Sequence, residues 1–173
     1  MHRPAPVRLL LPCLLLLSHV PAAKPDDLGA VRIRERLKAV PKSEKIALTD
    51  SQWRKILIPA QFLVLREGAT ETPFKNEYAN TRALGIYLCG ACGNELFASS
   101  TKFDSGTGWP SFYAPLAQNK ITIATDNSAG LKREEVRCAR CGSHLGHLFK
   151  DGPPPTHLRY CMNSIALTLR GSN

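Results

Sequence analysis

The chain has 173 residues, 43% of them hydrophobic, with 23 Lys and Arg against 14 Asp and Glu, a formal charge of +9. That length suits one ordinary domain rather than two, and that apolar content excludes global disorder. The basic residues are dispersed and "LKREEVR" (131–137) mixes both signs, so the charge reads as a solvated surface and no nucleic-acid partner is expected.

Residues 1–22 carry Arg3 and Arg8, a Leu-rich run from Leu9 to Leu17, and "VPA" ending at Ala22. This is the layout of a secretory signal peptide, and the run is short for a bilayer span. An uncleaved anchor is the alternative; a lipoprotein anchor is disfavoured by Pro12 before Cys13, and a mitochondrial presequence by the Leu-solid run. Export to a periplasm, a secretory pathway or the medium is expected. Cleavage would lower the formal charge from +9 to +7 and leave five cysteines, an odd number that points to a reactive thiol or an intermolecular bridge.

Residues 23–48 read as an N-terminal extension, either a loosely packed helix or a tether, ahead of a domain over 49–170. Thr49 and Gln52 have capping-box spacing and open a short helix, "SQWRKIL". Pro59 suits the first turn of a second helix, "PAQFLVLREG", and Gly68 its C-terminal stop. From Gly85 onward "GIYLC", "NELFASSTKF", "KITIATD", "LKREEVRC" and "LRYCMNSIALTLR" are rich in β-branched and aromatic residues and are separated by turn formers. The fold class is mainly β (α+β), antiparallel, with short N-terminal helices.

Cys89, Cys92, Cys138 and Cys141 form two C-x-x-C-G knuckles. Glycine after the second cysteine permits the tight turn that aims two thiolates at one ion, and two knuckles make the closed four-sulfur site typical of structural zinc. Two disulfides or a redox-active CxxC are the other readings. A zinc-ribbon-like binding module without catalysis is the alternative function, but it leaves Cys161 without a purpose.

Cys161 lies in a strand-like run with Arg159 and Asn163 at spacings of two, so the three share a face. A nearby Arg or protonated His lowers a thiol's pKa and makes it a nucleophile. His144 and His147 in "GSHLGHLFKDG" and Trp109 in "SGTGWPSF" complete the candidates. Taken singly, each is an ordinary core residue.

Residues from about Asp50 to Leu169 closely resemble the peptide-methionine (R)-S-oxide reductases, the type B methionine sulfoxide reductases, through "CGACG", "KFDSGTGWPSF", "REEVRCARCGSHLGHLFKDGPPPT" and "LRYCMNS". The resemblance implies two antiparallel sheets with one structural zinc away from the active site. It implies Cys161 as nucleophile and Trp109 and Phe112 as substrate contacts. It also implies His147, helped by His144, as the group that binds or protonates the sulfoxide oxygen. Arg159 and Asn163 would position and activate the thiolate, with Asp151 a weaker supporting candidate. The substrate would be the R epimer of methionine sulfoxide, peptide-bound or free. Cys161 would become a sulfenic acid, regenerated by thioredoxin or another thiol, in a monomeric enzyme. Many members carry a resolving cysteine where this chain has Thr107, so a cycle with one protein cysteine and an external reductant is expected.

Overall fold

The computed structural model describes residues 25–172. The expected signal peptide and Cys13 lie outside the described residues. Among the described residues no helix is long and apolar enough to cross a membrane.

Three helices come first: α1 (Pro25–Ala39), α2 (Asp50–Ile56) and α3 (Pro59–Glu67). At α2 the capping box is formed. Gln52 N–H donates to Thr49 Oγ1, and Thr49 N–H donates to Gln52 Oε1 at 2.9 Å. Pro59 opens α3, and Gly68, at φ 74°, closes it in the left-handed conformation that glycine adopts at no steric cost. Trp53, Phe62 and Leu65 bury the inward faces of α2 and α3.

Part of the N-terminal extension is the helix α1, whose Arg34 Nη2 donates to Ile56 O at 3.0 Å. The segment behind it is clasped by Arg140. That guanidinium donates to Val40 O at 2.8 Å and to Cys92 O at 2.9 Å, while Arg140 O accepts from Ile46 N–H at 2.7 Å. The extension is therefore packed rather than a free tether over the described residues.

The rest forms two antiparallel sheets. The smaller has the order β2-β1-β9, from β1 (Gly85–Cys89), β2 (Glu95–Ala98) and β9 (Leu167–Gly171). The larger is β3-β4-β8-β7-β6-β5. Its strands are β3 (Lys102–Phe103), β4 (Ser111–Phe112), β5 (Ile121–Asp126), β6 (Arg133–Cys138), β7 (His144–Phe149) and β8 (Arg159–Met162). An aromatic layer joins the sheets. Phe97 stacks on Phe112 with ring centroids 4.5 Å apart, and Tyr87 meets Phe112 edge-on at 5.0 Å. These rings are fully buried and supply much of the apolar area that holds the sheets together.

Two long runs are broken up. "NELFASSTKF" is split by a 3-10 turn at Ser99–Thr101, so that its ends join different sheets. "LRYCMNSIALTLR" is split by a 3-10 turn at Ser164–Ala166 and likewise serves both sheets, as β8 and β9. "HLGHLF", which lacks an apolar–polar alternation, is nevertheless the interior strand β7, paired on both sides.

Candidate active site

The hairpin turns at β1–β2 and β6–β7 bring the four knuckle cysteines together, their sulfurs all within 4.8 Å of one another. Cys89 Sγ lies 3.7 Å from Cys141 Sγ, and Cys92 Sγ 3.6 Å from Cys138 Sγ. Sulfurs at about 2.3 Å from a central tetrahedral ion would be about 3.8 Å apart, so the donor set fits one metal. A disulfide needs about 2.05 Å, and all four thiols are free. The glycines after each pair behave as the spacing requires, with φ of 70° at Gly93 and 69° at Gly142. Asn94 Nδ2 donates to Cys138 Sγ at 3.6 Å, and α3 braces the second knuckle through Arg66 Nη1 to Cys141 O at 3.2 Å. The four cysteines can hold one metal ion.

The second cluster is built by register. Cys161 on β8 stands opposite Ser111 on β4 and opposite His147 on β7, and His147 stands opposite Glu135 on β6. Directly opposed residues leave a sheet on the same face, so four strands present these side chains together. One rung away Phe149 stands opposite Arg159, and Asp126 opposite Arg133. Trp109, His147, Phe149, Cys161 and Asn163, with Thr70 and Arg133, surround a cavity of about 110 Å³. None of the four knuckle cysteines lines it.

Each polar group here has an orienting partner. His147 Nε2 is 2.9 Å from Asp126 Oδ2, and Arg133 Nη2 donates to that same oxygen at 2.7 Å. The Ser128 hydroxyl and N–H first, and then these contacts, hold the Asp126 carboxyl far below its ordinary range. His144 Nδ1 is 2.7 Å from Glu135 Oε1, and its ring lies 5.3 Å from that of His147. Burial keeps His144 below the usual histidine range despite Glu135. Arg159 is forked onto Asp151, Nε to Oδ1 at 2.8 Å and Nη2 to Oδ2 at 2.9 Å, with its guanidinium 4.2 Å above the Phe149 ring. Asn163 Oδ1 accepts from Glu71 N–H at 3.1 Å, and Nδ2 donates to Leu145 O at 3.2 Å.

One expectation needs correcting. Phe112 is not in this cluster. It alternates with Ser111 on β4, so when Ser111 faces Cys161, Phe112 points to the opposite face and is fully buried against Phe97. Phe149 provides the aromatic wall instead. Arg159 does lower the Cys161 pKa, but less than burial raises it. Burial pushes the thiol above its ordinary range, and Arg159 with the Thr107 and Ser111 hydroxyls recovers only part of that. Thr107 Oγ1 is 4.0 Å from Cys161 Sγ, within a hydroxyl chain in which Ser105 Oγ is 2.8 Å from both Thr107 Oγ1 and Ser111 Oγ.

Sequence reasoning missed Ser111, Asp126, Arg133 and Glu71. For Ser111 the signal was present, since the parity of β4 against Cys161 would have chosen it over Phe112. Arg133 opens the motif "REEVRCARCGSHLGHLFKDGPPPT" and Asp126 ends "KITIATD", but strand pairing alone brings them to the site.

The SelR domain family matches residues 57–171. The chain is 56% identical over 126 residues to the protein named peptide methionine sulfoxide reductase MsrB of Pseudomonas fluorescens, covering 73% of this chain and 96% of that one. It is 52% identical over 123 residues to the protein of that name from Methanosarcina mazei, covering 71% and 88%. The counterpart from Thiobacillus denitrificans is 56% identical over 120 residues, covering 69% and 91%. The free thiol facing a histidine, in a chain that also carries a four-sulfur cluster, thus sits within a sequence related over most of its length to those oxidoreductases, and the chain belongs to the MsrB family of peptide methionine sulfoxide reductases.

Proposed function

We propose that this protein reduces the R epimer of methionine sulfoxide, in peptides and as the free amino acid, with Cys161 as nucleophile. The observation that carries the reading is the small cavity where Cys161 meets His147 and Trp109, Cys161 being the one described cysteine outside the four-sulfur cluster. Cys161 Sγ attacks the sulfoxide sulfur, its proton is lost, and the sulfoxide oxygen takes up a proton held at His147. The S–O bond and the transient Sγ–S bond then break as the hydroxyl passes to Cys161 Sγ, so methionine leaves reduced by two electrons and Cys161, now carrying that oxygen, is left oxidised by two as the sulfenic acid. The proton lost and the proton gained cancel. Trp109 forms an apolar wall for the methyl group while His147 and Asn163 form the polar edge for oxygen, which supports choice of one epimer. His144, fixed on Glu135, backs His147.

Regeneration uses two external thiols, thioredoxin or a smaller one. The first displaces the hydroxyl as water and forms a mixed disulfide. The second releases the Cys161 thiol and departs in a disulfide. Thr107, the neighbour of the sulfur, cannot form a disulfide, which supports the external route. Zinc is the metal proposed for the four thiolates, which are the ligand set it favours, and when bound it cross-links the two sheets and takes no part in the reaction.

The protein is proposed to act as a monomer after export and removal of residues 1–22. The mass of the chain recovered outside the cytoplasm tests the export, with an N-terminus at Ala23 expected. For the reaction, purified zinc-loaded chain is given dithiothreitol and the two epimers of dabsyl-methionine sulfoxide, separated on a chiral column. Loss of the R form alone is expected, and turnover of neither by folded protein would overturn the reading.

A further inference from the structure

The segment between α3 and β1 has no regular structure, yet it is stitched to the loop that carries Trp109. Phe74 N–H donates to Gly108 O at 2.8 Å, and Asn76 Nδ2 donates to the same oxygen at 2.7 Å. Gly108 has φ 87°, and a Cβ there would collide with the Phe74 backbone and ring, so the approach requires glycine. At the centre of this strap is Glu71.

Glu71 makes four hydrogen bonds, all directed at the candidate site or its support. Its carbonyl accepts from Trp109 Nε1–H at 3.1 Å, the one hydrogen bond of that indole among the described residues. Its N–H donates to Asn163 Oδ1 at 3.1 Å. Its carboxylate accepts from Ser164 N–H through Oε1 and from Ile165 N–H through Oε2 at 2.9 Å. The carboxylate therefore ties the strap to the two residues after Asn163, while the backbone of the same residue fixes the wall and the polar edge of the cavity. Both sides of the substrate site hang on one residue that does not line the cavity.

We infer that Glu71 is a positioning residue for the reaction proposed above, on which this inference rests. Glu71 fixes the distance between the Trp109 ring and the Asn163 amide and leaves Cys161 itself untouched. The chemical requirement is for two acceptor oxygens at this separation. Gln supplies one acceptor and turns an NH₂ toward a backbone N–H. Asp keeps the charge, but its shorter stem cannot bring both oxygens to the two N–H groups.

The experiment compares wild type, Glu71→Gln and Glu71→Asp in a Trp53→Phe background, where Trp109 is the one remaining tryptophan of two. Three quantities are read: acrylamide quenching of Trp109, KM and kcat for dabsyl-methionine-R-sulfoxide, and the pH profile of Cys161 alkylation by iodoacetamide. Both variants should show increased quenching and a KM raised roughly tenfold, with kcat falling less and the alkylation profile unmoved. Unchanged quenching and KM would overturn the inference. So would an Asp variant that behaves as wild type, because charge alone would then suffice. If wild type itself leaves the R epimer intact, the functional reading fails, while the quenching still reports whether Glu71 orders Trp109. Should Glu71→Gln not fold, Trp109→Phe removes the indole N–H and keeps a ring, and an unraised KM there would overturn the indole contact.

Discussion

Cys161 and His147 are register partners on adjacent antiparallel strands, so the thiol and the imidazole leave the sheet side by side. If they act together, removing either costs turnover without costing the fold. Cys161→Ser, nearly isosteric, should abolish reduction of the R epimer while changing stability by no more than about 1 kcal/mol. His147→Gln should lower kcat by roughly 10²–10⁴, the usual worth of a positioned proton donor. Both are read by epimer-resolved turnover beside a thermal melt, and a Cys161→Ser protein that still turns over would remove the nucleophile from its role.

The Cys161 thiol is raised above its ordinary range because burial outweighs Arg159. In the free enzyme it should therefore be protonated at neutral pH, and its alkylation should increase with pH to an inflection above that of an exposed cysteine. Arg159→Met, which removes the cation and the fork onto Asp151, should move that inflection further up. An inflection near neutrality in the wild type would show that the charge of Arg159 dominates after all.

Gly146 sits on β7 where an added Cβ would land on the Cys161 carbonyl oxygen and against Met162 Cα. Both obstacles are backbone, so the strands must separate. Gly146→Ala should cost about 1–3 kcal/mol or more and displace Cys161 from His147, lowering both the melting temperature and turnover. An unchanged melt would mean that the β7–β8 pairing is looser than the contact implies.

The four-sulfur cluster joins a turn of the small sheet to a turn of the large one. A structural zinc site is worth on the order of 10 kcal/mol of apparent binding energy, as much as a whole domain's stability. Cys92→Ser, or stripping the metal with a strong chelator, should unfold the two-sheet body rather than loosen it. Circular dichroism and metal content measured together test this. A native spectrum from metal-free protein would show that the aromatic layer suffices alone.

Tyr87 is fully buried with an unpartnered hydroxyl, and burial pushes its pKa up to about 12 from an ordinary 10.0. A folded-state pKa above the unfolded one gives a contribution that is complete below pH 10 and lost as pH rises toward 12. Tyr87→Phe should be neutral or stabilising by up to about 1 kcal/mol at neutral pH, and its alkaline loss of stability should be shallower. Denaturant melts at both pH values decide the matter, and a steeper alkaline loss in the variant would contradict it.

Local chemistry was the most legible part of this chain. The Thr49 cap, the Pro59 start, the Gly68 stop and both cysteine knuckles depend on residues a few positions apart, and each is formed as its spacing requires. Face assignment was half legible. Arg159 and Cys161 were placed on one face of β8, while Phe112 was put beside the thiol although one step of strand parity sends it to the core. β7 escaped notice because "HLGHLF" is buried on both faces, and such strands do not alternate. Glu71, Asp126 and Arg133 were illegible for a different reason. Their partners are in other strands or loops, and nothing local in an irregular strap or a solvated-looking charge announces them.

The strand that carries Cys161 lies between β4 and β7 in space but follows both in the chain. Synthesis is vectorial, so until residue 162 is made β3–β4 and β5–β6–β7 have no strand to join them, and each would present an open edge. The four clustered cysteines precede that strand in the chain, and Cys161 lies within it. By the time Cys161 exists, the strands that will wall it in have already been made.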